Sequence, residues 1–196
     1  MRRIRYAVAM SLDGYIAGPN GEIDWIVMDP EIDFSTFMKQ FDTILLGRKT
    51  YEGTRQQGGG SGMAGMQVYV FSRTLSSADC PGVTVSVDPG ETLAELKAKA
   101  GKDIWLFGGG TLFRSLLELG MVDTVEVAII PVLLGGGLSL LPHPAKLAQL
   151  RLMKQKVHEK TGTISLEYAV ARFAAQPAGA TSEIEGRRRR KRGLRR

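Results

Sequence analysis

Apolar positions recur along this chain with the spacing of strands in some stretches and of helices in others. Residues 4–10 (IRYAVAM) alternate, so that Ile4, Tyr6, Val8 and Met10 share one face of a strand and Arg5, Ala7 and Ala9 the other. The small side chains of that second face let another group approach the backbone closely. Short apolar runs at 43–46 (TILL), 67–71 (QVYVF), 83–87 (VTVSV), 103–107 (DIWLF) and 124–130 (TVEVAII) read as further strands, the last stopped by Pro131. Residues 150–158 and 163–173 read as two long strands joined near Thr161-Gly162, a hairpin. Helical spacing occurs at 30–40 (Ile32, Phe34, Phe37, Met38, with Phe41 just beyond), at 91–100 (Leu93, Leu96, Ala100), and after 108–110 (Leu112, Phe113, Leu116, Leu117). Segments 11–22 (SLDGYIAGPNGE) and 56–65 (QQGGGSGMAG) are punctuated by glycine and read as loops. Strands alternating with helices, followed by a hairpin, predict an α/β fold with a mixed sheet.

Charge changes this picture only at one end. The 196 residues carry 26 Lys+Arg against 20 Asp+Glu, a net charge of +6, but residues 187–196 (RRRRKRGLRR) hold eight basic residues and no acid. Without them 18 basic and 20 acidic residues remain, a body at −2. The basic balance therefore does not mark a nucleic-acid-binding domain. One domain over 1–173 is expected, followed by a tail over 174–196 whose Ala, Gly, Pro, Ser and Arg content predicts disorder. Binding of nucleic acid or another polyanion is expected only through that tail. Ile184-Glu185-Gly186-Arg187 matches a common engineered protease site, which leaves the tail either natural or engineered. The start, MRRIRYAVAM, makes a poor signal peptide, and no apolar stretch approaches the ~20 residues that span a bilayer, so the expected location is cytoplasmic. A single cysteine, Cys80, and two distant histidines, His143 and His158, argue against disulfides and against a protein-bound transition metal.

Candidate chemistry gathers where strands meet glycine. Gly108-Gly109-Gly110 links a predicted strand to a helix, and Thr111 adds a hydroxyl. Glycine permits close backbone approach, and the N–H groups of a helix start attract phosphate. Gly47-Arg48-Lys49-Thr50 repeats the arrangement with two cations, and Ser72-Arg73-Thr74 follows a third strand. Ligands of open α/β sheets collect beyond the carboxyl ends of the strands, and three such ends suggest a nucleotide with several phosphates. Neither G-x-G-x-x-G nor G-x-x-x-x-G-K-[ST] is present, so the usual Rossmann and P-loop spacings do not apply.

Taken in order, Ser11-Leu12-Asp13-Gly14-Tyr15-Ile16-Ala17, Trp25, Leu46-Gly47-Arg48-Lys49-Thr50-Tyr51, Phe71-Ser72-Arg73, Phe107-Gly108-Gly109-Gly110-Thr111-Leu112 and 131–137 (PVLLGGG) resemble the dihydrofolate reductase-like superfamily. Within it they look most like the branch of the riboflavin-biosynthesis reductase domain and its stand-alone relatives, over about residues 3–173. The resemblance implies a three-layer fold with a mixed, mostly parallel sheet and a C-terminal antiparallel hairpin. It also implies an NADPH-dependent oxidoreductase that transfers a hydride to a pterin-, pyrimidine- or ribosylaminopyrimidine-like heterocycle. By the same resemblance Ala9 and Ile16 flank the nicotinamide, and Gly47, Arg48, Lys49 and Thr50 hold the phosphate-bearing middle of the cofactor. Ser72 and Arg73 take the 2′-phosphate, and Gly108, Gly109, Gly110, Thr111 and Leu112 lie along the pyrophosphate. The deaminase half fused to many such reductases needs H-x-E and P-C-x-x-C, and this chain has neither. The alternatives are a nucleotide-binding module of this fold without turnover and a tail-directed polyanion binder.

The substrate side is less determined. Reduction of C=N or C=O requires a proton donor. The resemblance points to an acid after Trp25, and the register allows Asp29 or Asp33, Asp33 being better placed to face a cleft. Asp29 followed by Pro30 also has the form of a helix N-cap. Asp13 reads either as a substrate contact or as the Asp of an Asp-Gly turn, and Trp25 as a stacking platform or a core residue. Trp105 reads as core, and His143 and His158 as structural or surface residues. A homodimer is expected by analogy with relatives that pair through sheet edges and C-terminal strands, and the apolar run 131–141 suits a covered segment.

Overall fold

Six strands of this chain run parallel and must be covered on both faces, and the sequence supplies the cover between them. The computed structural model describes residues 1–56 and 65–171. The strands are β1 (Ile4–Ser11), β2 (Tyr15–Ala17), β3 (Phe41–Gly47), β4 (Gln67–Phe71), β5 (Thr84–Ser86), β6 (Asp103–Gly108), β7 (Thr124–Ile130), β8 (Leu138–Ser139), β9 (Leu150–His158) and β10 (Thr163–Val170). The helices are α1 (Phe34–Met38), α2 (Arg48–Gln56), α3 (Pro89–Ala98) and α4 (Gly110–Glu118). Eight strands form one sheet in the order β5-β4-β3-β6-β1-β7-β10-β9. Every neighbouring pair is parallel up to β7, and β10 then runs antiparallel to both β7 and β9. The fold is thus the mixed, mostly parallel sheet with a terminal hairpin that the resemblance implies.

Each face has its own core. On one, Ile4, Tyr6, Leu45, Ile104, Leu106 and Val125 pack under Leu93 and Leu96 of α3 and Leu112, Phe113 and Leu116 of α4, with Tyr6 stacked on Phe113 at 3.9 Å between ring centroids. On the other, Ile44, Leu46, Val68, Val70 and Trp105 pack with Phe41, Tyr51 and Phe37. Trp105 is core as expected: it is 3% exposed, touches the rings of Phe34, Phe37, Phe41 and Phe107, and donates from Nε1 to the Ala7 carbonyl at 3.1 Å. At the seam between β1 and β7, Arg5 grips both oxygens of Glu126 at 2.7 Å.

Two segments depart from the expected elements. The helix expected over 30–40 is one short turn, Phe34–Met38, and its N-cap is Asp33, whose Oδ1 accepts from Thr36 N–H at 2.9 Å. Asp29 is therefore not the cap. Its carboxylate folds onto its own chain, accepting from Glu31 N–H at 2.8 Å, and the chain makes a separate turn before the helix begins. A small antiparallel ribbon outside the main sheet pairs β2, within the 11–22 stretch read as a loop, with β8, within the apolar run 131–141. The basic tail and most of the glycine-rich 56–65 segment lie outside the described residues. Among the described residues no helix is long and apolar enough to cross a membrane.

Candidate active site

Parallel strands place all their carboxyl ends on one edge, so the ends of β1, β3, β4, β6 and β7 converge. A cavity of about 1900 Å³ runs along that edge and over the sheet face that carries Ala7 and Ala9. This is well above the roughly 300–1,000 Å³ of a single small-ligand pocket. The expected cofactor residues Ala9, Ile16, Gly47, Arg48, Lys49, Thr50, Ser72, Arg73, Gly108, Gly109, Gly110, Thr111 and Leu112 all line it.

The local geometry explains why these residues can face an anion. α2 begins at Arg48, directly after β3, and its first turn contains no acid. Arg48 and Lys49 thus put two cations where the helix dipole is already positive, an arrangement that is unfavourable until an anion joins it. Arg48 leans on Glu52 at 3.3 Å; Lys49 and Arg73 are exposed. At the end of β4 the Ser72 hydroxyl oxygen accepts from the N–H groups of Thr74 and Leu75 at 3.1 and 3.0 Å, so it shapes the turn that presents Arg73. At the end of β6, Gly108 has φ +143° and the Gly108–Gly109 peptide is cis. Gly109 caps α4 without a side chain. A Cβ on Gly110 would lie 2.5 Å from the Ser139 carbonyl oxygen, and one on Gly109 would lie 3.3 Å from Thr50 Oγ1. Bare backbone is thus required where α4 opens toward the cavity.

The substrate-side candidates fall elsewhere. Asp13, Trp25, Asp29 and Asp33 are absent from the cavity lining among the described residues. Asp13 accepts from the Ser11 hydroxyl at 2.6 Å and from Leu134 and Gly135 N–H at 3.1 and 2.7 Å, tying the turn after β1 to the segment after β7. The Ser11 hydroxyl first, and then those N–H groups, outweigh burial and hold its carboxyl below the usual range. Trp25 is half-buried and donates to the Glu22 carbonyl at 3.1 Å. Asp33 is exposed, and its capping bonds with Thr36 keep its carboxyl low. Asp29 is buried; burial pushes its carboxyl up, but Glu31 N–H, the Thr161 hydroxyl and His158 together leave it below the usual range. His143 is exposed and His158 buried.

Other polar residues do face the cavity. Across the sheet, Ala7, Glu126, Glu167 and Lys154 stand in one register row, and Ala9, Ala128, Ser165 and Lys156 in the next. Glu126, Lys154, Lys156, Ser165 and Glu167 all line the cavity, and Glu167 pairs with Lys154 at 3.1 Å. They escape attention in sequence because each sits within a strand. The signal that finds them is alternation: in TVEVAII, Glu126 and Ala128 share a face, which pairs with the small face of IRYAVAM.

Comparison with known proteins agrees with this fold. Residues 2–164 match the model of the RibD C-terminal domain family. The chain is 34% identical over 178 residues to the uncharacterized protein YyaP of Bacillus subtilis (strain 168), covering 85% of this chain and 94% of that one. A crystal structure of a Shewanella sp. PV-4 protein assigned to riboflavin biosynthesis superposes with a TM-score of 0.73 at 25% identity, over 88% of this chain and all (100%) of that one. Dihydrofolate reductase of Enterococcus faecalis, in complex with NADP(H) and RAB-propyl, superposes with a TM-score of 0.64 at 19% identity, over 87% and 97% of the two chains, and so shares the fold.

Proposed function

The chain belongs to the RibD C-terminal domain family, and on that premise we propose that it is an NADPH-dependent reductase of a small heterocycle of the pterin, pyrimidine or ribosylaminopyrimidine type. The observation that carries this reading is that one cavity joins three strand ends, each bearing glycine, a cation or both, to a polar sheet floor. The residues fit the cofactor: Gly108 and Gly109 bring bare backbone to the cavity, Gly110 lets α4 start close under the Ser139 carbonyl, and the cations of α2 lack an acid in their first turn. Arg48, Lys49 and Thr50 hold its phosphates at the start of α2, Arg73 takes the 2′-phosphate, and Gly109, Gly110 and Thr111 line the pyrophosphate. When bound, the cofactor supplies a hydride. Ala7 and Ala9 keep the floor low, and Glu126, fixed by Arg5, presents carboxylate oxygens that accept N–H groups of an amino-substituted ring. Lys154 and Lys156 offer cations to an anionic substituent of that ring.

Titration with NADPH, followed by tryptophan fluorescence, gives saturable quenching at sub-millimolar cofactor on this reading, and loss of NADPH absorbance with one of the heterocycles. Quenching without turnover on any of them would instead support a nucleotide-binding module. That second reading has one observation in its favour. Glu126 and Glu167 are the carboxylates lining the cavity among the described residues, and both are already in ion pairs. We also propose a homodimer through β9 and β10. Leu150, Leu152, Val157 and Ile164 share one sheet face, 37–60% exposed, beyond the reach of α4.

A further inference from the structure

At the same sheet edge, on the side away from β4, the turn between β9 and β10 meets the segment that precedes α1. Asp29, Glu31 and His158 each offer one ligand atom there, and these atoms lie within 4.8 Å of one another. Asp29 and His158 are buried, at 2% and 3% exposure, and Glu31 is exposed. We propose that these three side chains form a site for a divalent transition-metal cation of the zinc class. It departs from the expectation that two histidines leave no room for a metal, and it does not depend on the reductase reading.

The carrying observation is His158 Nδ1, which is buried and has no hydrogen-bond partner among the described residues. The other ring nitrogen, Nε2, meets Ser165 Oγ at 2.9 Å. In the neutral ring with Nε2–H donating to that hydroxyl, the Nδ1 lone pair faces Asp29 Oδ1 at 3.7 Å, acceptor against acceptor. With the proton on Nδ1 instead, 3.7 Å exceeds the ~3.2 Å limit of a good N–H···O bond. A buried polar atom left in this condition is costly, and a cation between the two groups turns the opposition into attraction. Zinc bonds to imidazole and carboxylate are about 2.0–2.2 Å long, which puts tetrahedral ligands roughly 3.3–3.6 Å apart. Small side-chain rotations close the difference.

The surroundings match those of a metal ligand set. A ligating histidine normally donates its second ring N–H to a neighbour, as Nε2 does to Ser165 in that tautomer. The second oxygen of Asp29 accepts from the Thr161 hydroxyl at 2.7 Å, and Oδ1 accepts from Glu31 N–H, which fixes the carboxylate. Two lysines compete for Glu31, Lys156 at 3.6 Å and Lys160 at 3.8 Å. Both are more than half exposed on flexible stems, and such surface pairs are weak. Imidazole with two carboxylates suits zinc better than magnesium, which prefers an all-oxygen octahedron. The bound ion would staple the segment carrying Ile26, Val27, Met28 and Ile32, which line the cavity, to the β9–β10 turn.

The test is calorimetric titration of chelator-treated full-length protein with zinc sulfate, with magnesium as the contrast. The expected result is one zinc per chain, no comparable magnesium binding, and visible absorption bands when cobalt(II) replaces zinc. His158→Ala should abolish uptake. Glu31→Gln alters an exposed side chain and leaves the fold intact, so it serves even if the histidine variant misfolds; it should weaken zinc at least about tenfold. Absence of saturable zinc uptake by the unaltered protein overturns the proposal. So does uptake that persists undiminished in Glu31→Gln or in a folded His158→Ala, which would place the ion elsewhere.

Discussion

Strands β3 and β9 lie in the same sheet, yet they meet opposite surroundings. In β3 (FDTILLG) five of seven residues are buried, because helices and aromatic side chains cover both faces. In β9 (LRLMKQKVH) eight of nine are exposed, and the buried exception is His158. The parallel half must therefore be apolar on both sides, whereas β9, at the sheet edge, keeps charges on the cavity side and apolar groups on the other. The difference separates two tasks. On the proposed function, the parallel half fixes the strand ends that would hold the cofactor phosphates, and the thinly covered half would offer surfaces for substrate and partner.

If this division is right, the largest loss of stability follows a substitution in the parallel half. Trp105→Ala on β6 removes a side chain that meets four aromatic rings and caps the Ala7 carbonyl. The expected cost is about 3–5 kcal/mol, read as a lower urea midpoint at constant slope. A loss under 1 kcal/mol would mean that this face is not the tightly packed one.

The next effect lies at the seam. Glu126→Ala strands the Arg5 guanidinium, whose side chain is 7% exposed and keeps Asp103 at 3.4 Å, Gln40 at 2.6 Å and the face of the Phe41 ring at 4.7 Å. Removing one partner of a buried pair costs about 3 kcal/mol or more. Glu126→Gln, which retains one acceptor oxygen, should recover part of that loss in the same denaturation series. Equal losses in the two variants would show that shape, not the ion pair, holds the seam.

Binding rather than stability registers the third. Arg73→Ala touches an exposed residue at the end of β4, so the fold should stay within about 0.5 kcal/mol of the parent. NADPH affinity should fall by roughly 1.5–3 kcal/mol, while NADH, without the 2′-phosphate, should bind as before. Fluorescence titration with both nucleotides checks this, and equal losses for the two would remove Arg73 from the 2′-phosphate.

The same division governs what was legible in the chain. The strand-end residues could be read because each follows its apolar run within a few positions: Gly47 after TILL, Ser72-Arg73 after QVYVF, Gly108 after DIWLF. The setting of Asp29 could not, because Thr161 and His158, which decide it, lie about 130 residues away and join it only through the hairpin. Local pattern favoured an N-cap at Asp29 before Pro30, and long-range bonding moved the cap to Asp33. The β2–β8 ribbon was hidden for a similar reason, since strands of three and two residues carry no readable period. Glu126 was visible in principle, as the one charged residue of an apolar strand, but its meaning depends on β1, β10 and β9 lying beside it in register.

The smallest effect on the fold belongs to β9, and it tests the proposed partner surface. Leu152 is 47% exposed and stands opposite Tyr168 on the face that α4 leaves open. Leu152→Glu therefore removes little apolar contact within the chain and should change the unfolding free energy at high dilution by no more than about 0.5 kcal/mol. If a second copy covers this face, the same change buries a charge in an apolar contact, and the dimer should dissociate. Sedimentation at micromolar concentration would then show a dimer for the parent chain and a monomer for the variant, each still binding NADPH. A parent chain that sediments as a monomer would show instead that the edge is held apart in solution. Its charged side chains Lys154 and Lys156, which face the cavity, are then what keeps β9 from pairing with another sheet.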